Sequence, residues 1–273
     1  MNKIFSTIAI AALIMVAMGC DKIDDPHKPF TYNGGGKTVL IKDFTGVRCI
    51  YCPGAAETVH QLQHELGEDH VMILSVHAGS MTTPGTLFPD FRTSEGTIWY
   101  NSNTSNPLFS VDHVALTEGN ALFVSQVDTP LSEALKEDQT FEITTTNTYD
   151  EATRRLSVEN HFNPTGQGRG QYYVTVCLVE DSIVGRQMVL TSPEYPDGVD
   201  TAYMFRNVFR GTLNGADGAQ VINGDYFAGD SFDLPNYNIE LDSAYNADQC
   251  YIMTYIYDKA NGKIMQTALK KIK

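Results

Sequence analysis

The chain has 273 residues and a formal charge of −14, from 19 Lys and Arg against 33 Asp and Glu. That length suits two domains better than one, and an acidic balance without a basic patch argues against nucleic acid as a partner. With 42% hydrophobic and only 19% charged residues, the chain can bury real cores and is not broadly disordered.

The N-terminus reads as a processing signal. Asn2-Lys3 is a short positive start, and Ile4 to Met18 is an apolar run. Residues 1–19 therefore read as a signal peptide, its core short of the roughly 20 residues a membrane span needs. The run closes Val16-Ala17-Met18-Gly19-Cys20. A small residue before a Cys at this place resembles the lipobox of bacterial lipoproteins, although Ala17 stands where Leu is commoner. The resemblance implies cleavage before Cys20 and acylation of its thiol and amine, which makes a stable anchor. Residues 20–36, with Asp24, Asp25 and Gly34-Gly35-Gly36, read as the lipidated Cys and a flexible tether.

Residues 37–138 read as a first folded domain. Lys37 to Phe44 is rich in Val, Leu and Ile and predicts a buried strand. Thr45 to Arg48 is a turn, followed by Cys49-Ile50-Tyr51-Cys52-Pro53. Ala55, Val59, Leu62 and Leu66 then form one apolar stripe, which predicts a helix stopping at Gly67. Pro53 suits the first turn of that helix. His70 to Val76 predicts a second strand. This strand–CxxC–helix–strand order points to thiol chemistry, because a helix N-terminus stabilises a thiolate. Arg48 adds a positive charge beside Cys49. Cys49 is expected to be the exposed attacking thiol and Cys52 the resolving thiol.

The surrounding residues resemble thioredoxins. Asp43-Phe44 looks like the buried acid and Phe of that family, and the resemblance gives Asp43 a role in proton transfer to Cys52. Ser105-Asn106-Pro107-Leu108-Phe109 looks like the segment carrying the family's cis-proline, so Pro107 is expected to face the Cys pair. Arg48 stands where the family has Trp, and Ile50-Tyr51 differs from the usual intervening pairs. Gly79 to Ser105, with Trp99, Phe88, Phe91 and Tyr100, is an insertion. It either lines the approach to Cys49 or packs as a surface subdomain. Glu118 to Glu137 predicts a closing helix with a break near Pro130. His77 ends a strand and reads as structural more readily than as a site residue.

Zinc is a poor account of Cys49, Cys52, His60 and His64, because the spacing is too short and His60 lies two turns beyond Cys52. No metal and no cofactor are expected. A purely structural disulfide is the serious competitor, although so short a loop would gain little stability.

From about Gln139 the texture changes, and residues 139–273 read as an all-β domain. Strands are predicted at Phe141–Tyr149, Leu156–Phe162, Tyr172–Glu180, Phe227–Leu234, Tyr251–Asp258 and Lys263–Ile272. Asn261-Gly262 is a hairpin signal between the last two. The pattern suggests an immunoglobulin-like β-sandwich after an α/β thioredoxin-like domain. Cys177 and Cys250 lie in separate strands and are either a pair or two buried thiols.

The lipobox, the Phe44-to-Pro53 motif and Tyr203-Met204-Phe205-Arg206-Asn207-Val208-Phe209-Arg210-Gly211 together resemble the 28-kDa outer-membrane-protein-related family of bacterial lipoproteins. The resemblance implies a lipid-anchored protein of the cell envelope, at the periplasmic face of the outer membrane or the cell surface. It implies little about activity, although adhesion is suggested for some members. Two functions follow as expectations. One is thiol–disulfide exchange on periplasmic or surface protein thiols, carried by Cys49, Cys52, Asp43, Pro107 and Arg48. The other is non-enzymatic binding of a surface protein ligand, with the redox fold kept as a scaffold.

Overall fold

A computed structural model of the chain describes residues 36–103 and 105–273. The signal peptide, Cys20 and the tether up to residue 35 lie outside the described residues.

Strand β1 (Val39–Thr45) is buried at every position, as a nearly continuous apolar run covered on both faces must be. It leads through the Cys-containing turn into α1 (Cys52–Leu66), which returns to β2 (Val71–His77), parallel to β1 with Asp43 beside Ser75. Pro53 occupies the first turn of α1, and Gly67 ends it at φ 104 with its N–H bonded to the Gln63 carbonyl at 2.9 Å. Cys52, Ala55 and Val59 are the buried positions of the helix; Leu62 and Leu66 are only half-buried.

The insertion forms a 3-10 turn (Ser80–Thr82) and α2 (Ser94–Tyr100), capped by the Thr93 side chain on the Gly96 N–H. Strand β3 (Leu108–Val111) then runs antiparallel to β1. The long closing helix expected from Glu118 is a correction. Leu122 instead exchanges backbone hydrogen bonds with Phe109 at 2.8 and 2.9 Å, and α3 covers only Asp128–Ala134. Pro130 sits in the first turn of α3, where it breaks nothing.

The remaining elements are strands. They are β4 (Phe141–Asp150), β5 (Arg155–Pro164), β6 (Gly168–Glu180), β7 (Ile183–Met188), β8 (Val199–Phe205), β9 (Val208–Thr212), β10 (Ala219–Tyr226), β11 (Phe232–Asp233), β12 (Tyr237–Glu240), β13 (Cys250–Asp258) and β14 (Ile264–Lys271). The strand expected over Phe227–Leu234 is reduced to the two residues of β11, because the pairing segment lies earlier, in β10. Gly262 turns the β13–β14 hairpin at φ 71.

The main sheet has the order β14-β13-β6-β9-β2-β1-β3, with β10 also pairing β6. It is mixed: β1, β2 and β9 are parallel neighbours, and the rest pair antiparallel. Strands from before and after residue 138 therefore share one sheet. A second sheet, with β4 on one side of β5 and β11 and β12 on the other, faces the β6–β13 part of the first. Phe141, Leu156, Val158 and Phe162 of the small sheet meet Val174, Val176, Leu178, Ile252 and Ile256 of the large one. This is a mostly β, layered fold, and the period-2 alternation of β6 and β13 feeds both faces. On the opposite face, Cys177, Val179, Met253 and Tyr255 join Leu40, Phe44, Leu74, Trp99 and Phe209 in a second core.

Alternation along β1 separates two buried charges. Lys42 points into the core with Trp99, its Nζ 3.6 Å from the indole centroid. There it donates to the Val114 carbonyl at 2.7 Å and to the Tyr255 hydroxyl at 3.0 Å. Burial lowers the Lys42 pKa to about 7. The next residue, Asp43, faces the other way, toward α1.

Candidate functional site

Cys49 and Cys52 form a disulfide at the head of α1. The expectation that Cys49 is exposed is corrected: it is 4% exposed and Cys52 2%. Both the β7–β8 hairpin and the Ser80–Thr82 turn are bonded to the Cys loop, the turn through the Met81 carbonyl, which accepts from the Arg48 N–H at 2.9 Å. The Gln187 Nε2 donates to the Cys49 carbonyl at 3.0 Å and the Gly46 carbonyl at 3.3 Å, and the Met188 N–H donates to the Val47 carbonyl at 2.9 Å. These bonds seat the hairpin on the loop that holds Cys49. Tyr51, between the two cysteines, points outward and is 63% exposed. Arg48 is exposed too, with its guanidinium carbon 5.6 Å from the Phe88 ring centroid, so the insertion shares its charge with the Cys loop.

A cavity of about 230 Å³ opens beside the disulfide, between the head of α1 and β8. Cys52, Asp43, Ser75, His77, Tyr203 and Arg206 line it. Asp43 is 3% exposed, and its Oδ1 has no hydrogen-bond partner among the described residues. Burial raises its pKa to about 7, so near neutral pH the carboxyl can hold or release a proton at little cost. His77 is equally buried. Desolvation, and then the Arg210 charge, lower its pKa to about 3, so it is a neutral imidazole. Its ring packs edge-on against Phe91 at 4.8 Å and Phe205 at 5.8 Å. Burial, followed by the nearby Asp43, raises the Tyr203 hydroxyl to about 12.

Pro107 stands at the same end of the sheet. The Asn106–Pro107 peptide is cis. The β1–β3 register pairs Phe44 with Leu108, which sets Pro107 opposite Thr45, another cavity residue. The Asn106 amide fixes this corner by donating to the Phe44 carbonyl at 2.9 Å and the Ala78 carbonyl at 3.3 Å. Asp43, Cys52 and Pro107 thus gather at one sheet end. Sequence reasoning missed Gln187, Ser75 and the cavity wall from β8. A signal for that wall existed in the Tyr203-to-Gly211 segment, which stands out as a motif without a visible role.

Trp99 lies across the sheet from the cavity. It is 1% exposed, stacked 4.8 Å from Phe209, with its Nε1 donating to the Ala216 carbonyl at 2.9 Å. Of the insertion, Phe91 reaches the cavity side and Trp99 and Tyr100 build the opposite core. Among the described residues Cys177 and Cys250 are unpaired, and they are buried on opposite faces of the sheet, with burial pushing both thiols up to about 12. A buried ion pair, Arg210 to Glu180 at 2.7 Å, ties β9 to β6. Among the described residues no group of three or more His, Cys, Asp or Glu is placed to hold a metal ion. No helix among them is long and apolar enough to cross a membrane.

The profile of the outer membrane protein Omp28 family matches residues 105–273, more than half of the chain. The chain belongs to the Omp28 family. Membership places it at the outer membrane of the cell envelope. Among solved structures, the chain is similar to a domain of the outer membrane lipoprotein Omp28 from Porphyromonas gingivalis. That match is 20% identical, covers 49% of this chain and 88% of the other, and has a TM-score of 0.31. It is also similar to the E. coli curli protein CsgC at 10% identity, covering 47% of this chain and 96% of that one, with a TM-score of 0.23. The family assignment rests on the profile match. No curated protein sequence matches the chain.

Proposed function

We propose that this Omp28-family chain is held in the outer membrane by lipid on Cys20, and that residues 37–138 are a thioredoxin-like module for thiol–disulfide exchange. The observation that carries the reading is Asp43, a buried carboxyl with an unpartnered oxygen in the cavity that Cys52 lines. Attack of a partner thiolate on Cys49 forms a mixed disulfide and releases the Cys52 thiolate, which takes the proton of neutral Asp43. In the second half-step a second thiolate of the partner attacks the partner's own sulfur in the mixed disulfide and releases Cys49, leaving the module reduced and the partner oxidised. In the opposite direction the Asp43 carboxylate takes the Cys52 proton, and Cys52 attacks Cys49 in a mixed disulfide formed on a partner disulfide. Further support comes from the order β2-β1-β3, with α1 joining the parallel pair and β3 antiparallel after Pro107. Residues 139–273 would be an immunoglobulin-like sandwich presenting the module at the periplasmic face or the cell surface.

The test is the reduction potential of the Cys49–Cys52 couple, read by alkylation in graded thiol buffers. A value above about −300 mV is expected; a value well below it would mark a structural bridge. A Cys52→Ser variant should trap a mixed disulfide with its partner through Cys49. The burial of Cys49 favours a second reading, a non-enzymatic binding or adhesion lipoprotein that uses the disulfide as a cross-link. Under that reading, Cys49→Ser leaves surface binding unchanged and no mixed disulfide forms.

A further inference from the structure

The hairpin over the disulfide combines three features. Its inner face carries Gln187, 2% exposed, whose amide donates to the carbonyls of Gly46, Cys49 and Met188. A register shift between Gly185 and Gln187 in the β7–β8 pairing re-aims that side chain toward the Cys loop. The hairpin belongs to neither large sheet, for among the described residues β7 and β8 pair only with each other.

Its two ends are also distinctive. Ser182, just before β7, and Asn207, just after β8, both have left-handed backbone, at φ 56 and φ 50. Non-glycine residues seldom adopt that region, and here one stands at each root of the same hairpin. Asp181 holds both roots, accepting from the Ser182 hydroxyl at 2.7 Å and the Asn207 N–H at 2.9 Å. Asn207 is further tied to the body through the Ser75 N–H at 2.9 Å. Beside the roots Phe205, paired with Ile183, packs against Phe91 at 4.9 Å. Farther out the hairpin is bonded to the Cys loop through Gln187 and the Met188 N–H, so releasing those outer bonds lets it turn about its roots.

We propose that Gln187 determines which thiols reach Cys49: it latches the β7–β8 hairpin over the disulfide, and a protein dithiol reacts only after the hairpin turns away about Ser182 and Asn207. The proposal rests on the exchange reading above and adds its specificity device. With the latch closed, Cys49 is too buried for a protein surface to present a thiolate to it. A small dithiol has a second route, the cavity that ends at Cys52. The latch therefore discriminates by size.

The experiment compares reduction of the full-length oxidised protein by dithiothreitol and by reduced thioredoxin, in wild type and Gln187→Ala. Loss of a buried hydrogen-bonding group shifts an opening equilibrium by about tenfold. The thioredoxin rate should rise by that factor and by clearly more than the dithiothreitol rate, whose route Gln187 also lines. Gln187→Glu, which sets a carboxylate against the same carbonyl oxygens, should behave likewise. Hydrogen exchange in the wild type gives a measure that needs no variant. The Met188 amide should exchange through local opening well before the β13 amides do. An unchanged thioredoxin rate in both variants, or a Met188 amide as protected as β13, would overturn the latch and leave the exchange reading standing. Failure of both reductants on every protein would sink the two together.

Discussion

Replacing Asp43 by Asn should stabilise the protein, and by an amount that grows with pH. Asp43 is 3% exposed, and burial raises its pKa from 3.8 to about 7. The folded state therefore keeps a proton that the unfolded chain has already lost. Stability from this group is fully present below the unfolded value and is lost as pH rises through the folded one. Once the carboxyl is forced to ionise in the fold, the cost is on the order of 4 kcal/mol. At about pH 5 the same linkage costs only about 1.5 to 2 kcal/mol, because the folded carboxyl is still protonated. An amide in its place does not titrate and has no such dependence. Urea unfolding of oxidised wild type and Asp43→Asn at about pH 5 and about pH 8.5 should thus show a gap that widens by about 2 to 3 kcal/mol at the higher pH. A gap equal at both pH values would refute the picture of a carboxyl buried in the wall of the cavity. It would also remove the proton store that the exchange reading needs.

Two further outcomes follow from the cores. Trp99 is the only tryptophan, and the Lys42 ammonium sits on its ring with its pKa lowered to about 7. Its fluorescence should titrate with a midpoint near that value, and Lys42→Met should abolish the transition. Phe141 is wholly buried between the two sheets, 5.1 Å from the Tyr172 ring and 5.3 Å from Tyr226. Phe141→Ala should cost about 3 to 5 kcal/mol in chemical denaturation, as large-to-small changes in a packed core do.

What was legible in the sequence was what local periodicity and spacing encode. The apolar runs of β1, β2 and β13 and the stripe of α1 can be read without tertiary knowledge, as can the Cys49-to-Cys52 spacing and its distance from Asp43. Elements whose shape is set by distant partners were not legible. Leu122 looks like a helix residue beside Val127 and Leu131, yet it bonds Phe109 across a sheet edge. Phe227 to Leu234 looks like a strand, yet the long pairing segment is β10 before it, where Gly224 at φ 124 lets the chain run on along β6. The hairpin was hidden because Arg186, Gln187, Asp200 and Thr201 interrupt any apolar pattern. The burial of Gln187 comes with the Cys loop beneath it, some 140 residues earlier in the chain. The burial of Cys49 depends on distant contacts of this kind, from Gln187 and from Met81, and leaves no local signal.

The shared sheet has a practical consequence. β2 has β9 as its outer neighbour, with Ser75 beside Val208, and the Thr38 N–H at the head of β1 donates to the Gln266 side chain of β14 at 2.8 Å. A chain cut after residue 138 would keep the disulfide but lose both supports and the hairpin above it. It would show a bare, flat strand edge to its surroundings, the kind of surface on which identical copies stack. An inactive or insoluble fragment of that kind would report the missing neighbours and carry no information about the cysteines.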